Sequence, residues 1–347
     1  MRTSNWILSG VAALLVVASA VVRLMIYPSV HQLPADTDST FVYSGTATTL
    51  NAAALETGDL ANALLRDVPV TLDRRVEVID TDGSTAVISD EVVVTGPGDT
   101  QLSATSHRWA VDRSDLEARP APQDSGAELH EGLVISWPLE PEERDYTFWD
   151  PTTATEAPAV YDRTEDVEGR EAYVYVIDAA GPLADTQISE NLPLSLPRDV
   201  LAGIAETLPA EQRPDPAGLA QLPETVPLTY AATTQRVAWI DAGTGAVLNG
   251  SLQQTIVAQT EGPEGPVTLA PVSSMAVEGT PEGVTERADD ADSNSQALWL
   301  VGIVLPVGLL VLGLLLAAFV VWSELRRRRG AGSGSGPGQD AEPAAAV

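Results

Sequence analysis

The sequence predicts an α+β protein: a mainly β extracytoplasmic domain, sandwich-like or open-barrel, set between an N-terminal and a C-terminal transmembrane helix. Three observations carry this. Two long apolar stretches stand near the ends of the 347 residues. Between them, short windows of β-branched and aromatic residues alternate with polar ones and are bounded by turn residues. Amphipathic helical spacing is scarce over the same interval.

The C-terminal apolar stretch, 297–322, contains no charged residue. About 26 helical residues span ~39 Å, more than the ~30 Å hydrocarbon core of a bilayer. Trp299 and Trp322 stand near its ends, where amphipathic rings favour the headgroup zone, and Pro306 introduces a local irregularity. Four consecutive arginines, Arg326 to Arg329, follow and place that end in the cytoplasm. The Gly/Ser/Pro/Ala-rich residues beyond them read as a short disordered tail.

The N-terminal stretch, 6–27, is apolar apart from Arg23. It reads as a second anchor. Ala18-Ser19-Ala20 also fits a signal-cleavage pattern, but hydrophobicity continues past it through Val21, Val22, Leu24, Met25 and Ile26. Residues 1–5 then stay in the cytoplasm, 28–282 form the extracytoplasmic domain, 283–296 an acidic stem that is helical or flexible, and 323–347 the basic then disordered tail. The expected location is the plasma membrane.

Charge follows this division. The chain carries 49 acidic residues against 19 arginines, with no lysine, for a net charge of −30. All but three of the acids (Glu324, Asp340 and Glu342) lie within 28–296. A surface so acidic repels phosphates, which excludes nonspecific nucleic-acid binding. The absence of cysteine excludes a disulfide framework, a thiolate metal site and a thiol nucleophile.

Within the central domain, strands are expected at 41–49 (FVYSGTATT), 70–79, 85–95, 106–112, 132–137, 146–149, 171–177, 228–240, 246–257 and 267–277. Asp82-Gly83 supplies the positive-φ positions of a tight hairpin between the second and third of these. Residues 241–245 (DAGTG) make a second turn of the same kind. One helix is expected at 199–208 (DVLAGIAETL), ended by Pro209. Pro-rich joints at 120–122, 138–141 and 209–227 mark loops and a domain boundary near residue 215.

Candidate chemistry is thin. His31, His107 and His130 are not spaced as zinc ligands. No Gly-x-Ser-x-Gly elbow occurs, and Ser-x-x-Lys is impossible without lysine. The acidic pairs Glu142-Glu143 and Glu165-Asp166 read as solvated loop charges. Asp80-x-Asp82-Gly83 with Glu91 at the twelfth position imitates a calcium loop, but Val87 and Ile88 put a strand where such a loop must curl. Asp289, Asp290 and Asp292 are stem charges that could attract cations loosely. Asn249-Gly250-Ser251 has the form of a glycosylation sequon beside a turn. Tryptophans 109, 137, 149 and 239 sit in or at the ends of expected strands and are read as core, since each can hide ~150–250 Å². No catalytic, cofactor-binding or metal-binding residue is assigned, and no cofactor is expected.

The order of FVYSGTATTL, YTFWDPTT, AVYDRTEDVEGREAYVYVI and RVAWIDAGTGAVLNGSLQQT between the two anchors resembles the actinobacterial porin PorA family of two-anchor envelope proteins. That resemblance implies an envelope protein without catalytic residues, and by its name a pore. The residues themselves argue differently, because a membrane barrel needs ~9–11-residue strands with an apolar outer face, and these windows read as short and interrupted by acids. The expected function is a non-enzymatic binding or scaffolding module of the cell envelope. Its partners would be the lipid bilayer and envelope proteins, glycan or lipid. The alternatives are a porin or channel component, and an envelope hydrolase using unpaired acids.

Overall fold

A computed structural model describes residues 3–262 and 265–331, so the expected tail beyond Ala331 lies outside the described residues. The chain divides into two compact units: residues 32–295, and a helical unit formed by the residues up to His31 together with those from Gln296 onward.

The helical unit pairs the two apolar stretches. Helix α1 (Thr3–Val21) continues through a π-helical turn, Val22–Ile26, into the short α2 (Tyr27–Val30). Opposite it, a second π-helical turn, Leu300–Val304, leads into α8 (Leu305–Ala331). Pro306 lacks the N–H that would bond back along the helix, which accounts for the irregular turn just before it. Ser19 Oγ donates to the Pro306 carbonyl at 2.8 Å. Both stretches are long and apolar enough to cross a membrane, over Trp6–Val30 and within Pro281–Arg326.

The other unit is one ten-stranded antiparallel sheet curled into a half-barrel. Its strands are β1 (Asp38–Leu50), β2 (Leu64–Asp82), β3 (Thr85–Gly96), β4 (Thr100–Asp112), β5 (Tyr146–Asp150), β6 (Thr155–Val167), β7 (Arg170–Pro182), β10 (Thr229–Asp241), β11 (Val247–Gly262) and β12 (Gly265–Gly279). Their spatial order is β4-β3-β2-β1-β12-β11-β10-β7-β6-β5. A two-stranded sheet of β8 (Ser195–Pro197) and β9 (Thr225–Pro227) stands apart. Short helices α3 (Ala52–Thr57), α4 (Thr186–Ser189), α5 (Arg198–Thr207) and α6 (Pro216–Ala220) fill the connections, and α7 (Pro281–Trp299) is the stem. The open-barrel expectation is met, and the sandwich alternative is not.

Two turns work as their residues dictate. Asp82 pairs with Thr85 across Gly83-Ser84, and only Gly83 takes a positive φ (59°), so the tight turn forms one residue later than expected, on Gly83-Ser84 in the type II′ pattern, with Asp82 in the ladder. At the β10–β11 turn, Gly245 (φ 68°) lies so close to the Pro138 carbonyl that any Cβ would collide with it.

Several expectations need correction. Most strands run 12–19 residues, so they are not short; apart from the inward Asp90, acids such as Asp73, Glu77 and Glu91 sit on the outer face and leave the ladder intact. β6 was not expected at all, because Pro158, Asp162, Glu165 and Asp166 mask its alternation. Conversely, 132–137 is no strand. Leu133 makes a single bridge to Phe148, and the rest packs irregularly into the core without a neighbour to form a ladder. No boundary falls near residue 215, since α5 and α6 bury Leu201 and Leu219 against Val226, Ile256 and Leu269. The stem is a docked helix and not a flexible one. Ala288 and Ala291 are buried, with Ala291 against Ala172 and Leu248, and the Arg287 guanidinium lies 4.4 Å from the Phe41 ring.

The sheet stops short of closing. Between its edges runs the connection from β4 to β5, in which Glu128 bridges to Trp109 of β4 and Leu133 to Phe148 of β5. The β4 edge is further occupied by the Gln187 amide, which accepts from Ser106 N and donates to Ser106 O, each at 2.9 Å.

Candidate functional site

Strand alternation directs Val70, Leu72, Val76 and Val78 of β2, and Ile88, Val92 and Val94 of β3, into the concave interior. One charge interrupts each series, Arg74 and Asp90. They meet across the β2–β3 ladder, with Arg74 Nε and Nη2 donating to the two Asp90 oxygens at 2.8 Å each. Arg74 Nη2 also reaches the Val134 carbonyl at 3.3 Å. Burial pushes the Asp90 carboxyl up, but the Arg74 charge and its hydrogen bonds outweigh burial and hold it below the usual carboxylate range.

A second arginine enters from β10. Arg236 donates once, to Asp150 Oδ1 at 3.3 Å, and its guanidinium lies 5.9 Å from the Phe148 ring. Asp150 is 1% exposed and keeps its other oxygen for Thr153, accepting from the backbone N–H at 3.1 Å and the hydroxyl at 2.8 Å.

From β4, His107 stands between two carboxylates. Its Nδ1 lies 3.0 Å from Glu128 Oε1 and its Nε2 3.3 Å from Asp185 Oδ2. Asp185 is buried and also caps α4 by accepting from Gln187 N. Burial disfavours the imidazolium, yet hydrogen bonds to Asp185 and Glu128 prevail and push its pKa up to about 9. His107 is therefore a cation at neutral pH. Its ring stacks on Trp109, which His130 meets edge-on, both at 5.3 Å. His130, held by burial below the usual histidine range, places Nε2 3.1 Å from the Ala110 carbonyl.

Two cavities flank these groups. One, of about 150 Å³, occupies the concave interior and is lined by Leu72, Leu252 and Met275 as well as Arg74, Arg236 and Trp137. The other, of about 260 Å³, lies between the β4 edge and the β5–β6 connection. His107 and Asp185 line both.

The remaining sequence candidates fall elsewhere. Asp80 and Asp82 end a plain hairpin and Glu91 lies opposite Arg75, so no calcium loop forms. Glu142 pairs with Arg144 as an exposed charge. Glu165 is no loop charge: it lies in β6 and accepts from the Trp239 indole at 2.6 Å. Asp292 pairs with Arg170 at 3.2 Å, while Asn249 sits within β11. His31 ends α2, its ring 5.2 Å from that of Tyr27. Trp109 and Trp137 are buried, at 1% and 3% exposure, whereas Trp149 and Trp239 are half-buried. Among the described residues no three His, Asp or Glu side chains converge to hold a metal. Arg74, Asp90, Arg236 and Asp150 were missed, although a charge at an inward position of each hairpin strand was a usable signal.

Fold and site together define a protein with two apolar end helices and a β half-barrel that has a charged interior. The chain belongs to the porin PorA family, whose pattern it matches over residues 6–322. No curated protein matches it. Among solved structures, a putative MaoC domain dehydratase from Chloroflexus aurantiacus is 14% identical with a TM-score of 0.12, covering 78% of this chain and 80% of its own. A conserved Mycobacterium tuberculosis protein with a double hotdog fold is 11% identical with a TM-score of 0.14, covering 77% and 81%. At such scores neither shares a demonstrable fold with this chain.

Proposed function

We propose that this chain is a non-enzymatic binding module of the cell envelope, anchored in the plasma membrane by both apolar helices, with the half-barrel outside the cytoplasm and the C-terminus inside. The observation that carries the reading is the sidedness of the sheet. Its inner face is mostly apolar, with Arg74, Asp90, Arg236 and His107 each paired to a partner there, while its outer face presents Asp73, Arg75, Glu77, Glu91, Arg108 and Asp178. A lipid-facing barrel needs the reverse, because each charge placed at the bilayer midplane costs about 2–4 kcal/mol. Arg326 to Arg329 after the second helix support the orientation.

The family's description as a porin favours a second reading, a channel component, and strands of 12–19 residues are long enough to span a bilayer. Planar-bilayer recording separates the two. The module reading expects no reproducible conductance steps from the purified full chain; discrete steps lost on removing residues 297–322 would replace it with the channel reading. Topology is tested independently. A reporter after Val347 should behave as cytoplasmic and one near Gly262 as extracytoplasmic, and the opposite pattern would overturn the arrangement.

A further inference from the structure

We infer that the outer end of the helical unit is a site for the phosphate of an outer-leaflet phospholipid, held by Arg23; this rests on the reading that both apolar helices cross the membrane. Arg23 is the one charge in either apolar stretch. From Trp6 to Tyr27 the helix rises ~32 Å, about one hydrocarbon core. Those two aromatic rings therefore mark the two interfaces, and Arg23 lies one turn inside the outer one. The positive-inside preference accounts for Arg326 to Arg329 at the other end and gives no reason for a cation here.

The side chain already leans toward the headgroups. Its guanidinium carbon lies 4.5 Å from the centre of the Tyr27 ring, one turn nearer the outer interface. Arg23 is exposed on the helix surface, and among the described residues no carboxylate or carbonyl accepts from it. Stacking on a ring uses the flat face of a guanidinium and leaves its five N–H groups free at the edge. That edge matches two phosphate oxygens at once. An unpaired cation at the rim of the hydrocarbon is costly, and phosphate is the anion that a phospholipid bilayer supplies at that depth.

The second anchor fixes the platform. Tyr27 packs on Gly302, where an added Cβ would lie 2.4 Å from Tyr27 Cε2, so a larger residue would displace the ring. Arg23 belongs to the π-helical turn Val22–Ile26, and Gly302 to the π-helical turn Leu300–Val304. Each turn ends two residues before a proline, Pro28 in the first anchor and Pro306 in the second. Such turns are rare and gather at functional sites. Here one carries the cation and the other the glycine beneath its platform.

Native mass spectrometry of the full chain in a neutral detergent tests this. The probes are dioleoyl phosphatidylglycerol, dioleoyl diglucosylglycerol (the same acyl chains without phosphate) and inorganic phosphate. The basic cluster at the other end also attracts anionic lipid, so the chain is measured as it stands and with Arg326→Gln, Arg327→Gln, Arg328→Gln and Arg329→Gln together. Both forms should retain phosphatidylglycerol about tenfold more tightly than the glycolipid, and neither should retain inorganic phosphate. Adding Arg23→Leu to the fourfold variant should abolish the preference. Tyr27→Leu should weaken it about two- to fivefold, and Tyr27→Phe, which keeps the ring, should preserve it. Equal retention of the two lipids, or a preference that survives Arg23→Leu in the fourfold variant, would overturn the assignment. So would a preference lost with the four arginines alone, which would move the lipid to the cytoplasmic end. Inorganic phosphate held as tightly as the lipid would overturn the lipid as its source. Reporter orientation is read separately, so a reversed topology would overturn the outer leaflet and the module's arrangement, whereas a missing preference would overturn the lipid site alone.

Discussion

Two of the bidentate arginine–aspartate pairs in the half-barrel unit, the ones shielded from solvent, do different work. Arg74–Asp90 faces inward, joins neighbouring strands β2 and β3, and borders the cavity. Arg170–Asp241 joins β7 to β10 and goes further. Arg170 also donates to Asp292 and Ser295 of the stem, while Asp241 accepts from the Gly243 and Thr244 N–H groups and the Thr244 hydroxyl. The first pair is nearly self-contained, whereas the second ties a turn, two strands and a helix together. The same chemistry thus shapes an interior in one place and sets a tertiary junction in the other.

The largest expected effect is at the junction. Asp241→Ala leaves Arg170 largely buried without its principal partner and frees the turn, and should cost about 3–5 kcal/mol in thermal or denaturant unfolding. A loss below 1 kcal/mol would show that the junction is dispensable.

The next tests the interior side. His107 is raised in the folded state to about 9 from 6.5, so the folded protein binds the proton more tightly than the unfolded chain. Its stabilisation is complete below pH 6.5 and lost as pH rises through about 9, amounting to about 3 kcal/mol. The lowered pKa of Asp90 keeps its carboxylate charged throughout that window, and His130, held below its usual range, adds only an opposing rise up to about pH 7, so the slope above that should report His107. Melting temperature recorded from about pH 7 to about pH 9.5 should fall, and His107→Gln should flatten the curve.

Smaller again is Ala291→Leu. Ala291 is 1% exposed against Ala172 and Leu248, and overpacking there should cost about 1–3 kcal/mol while leaving the His107 slope unchanged. Least is the double replacement Arg74→Met with Asp90→Leu. Exchanging a self-contained buried pair for apolar side chains should change stability by about 1 kcal/mol or less. The corresponding double change at Arg170 and Asp241 should remain costly, because the turn and stem lose their partners. Equal costs at the two sites would dissolve the distinction.

What could be read from the sequence was local. The turns at Gly83 and Gly245 were legible because their chemistry sits within five residues, and α5 because Pro197 and Pro209 bracket it. The charged interior was not, since Arg74 finds Asp90 across 16 residues and Arg236 finds Asp150 across 86. Curvature was equally hidden. Alternation assigns a residue to a face, but whether that face turns inward depends on the order of ten strands. The segment at 132–137 shows the converse error. Leu133, Val134 and Ile135 look like strand because they are apolar, but their burial comes from lying inside the curl.

A sheet that stops before closing has raw edges, and raw edges recruit foreign strands. Here the inner half of β4 is already spoken for by its own chain, through Gln187 at Ser106, Glu128 at Arg108 and Arg119 at Ala110. The outer stretch, Thr100 to Ala104, is exposed and mostly polar, a composition poor at nucleating cross-β contacts. Anchored molecules crowd in two dimensions, where chance encounters between identical edges are frequent. The Gln187 amide stands in for part of a missing neighbour strand, so its loss should show first as self-association between copies and only later as a lower melting temperature.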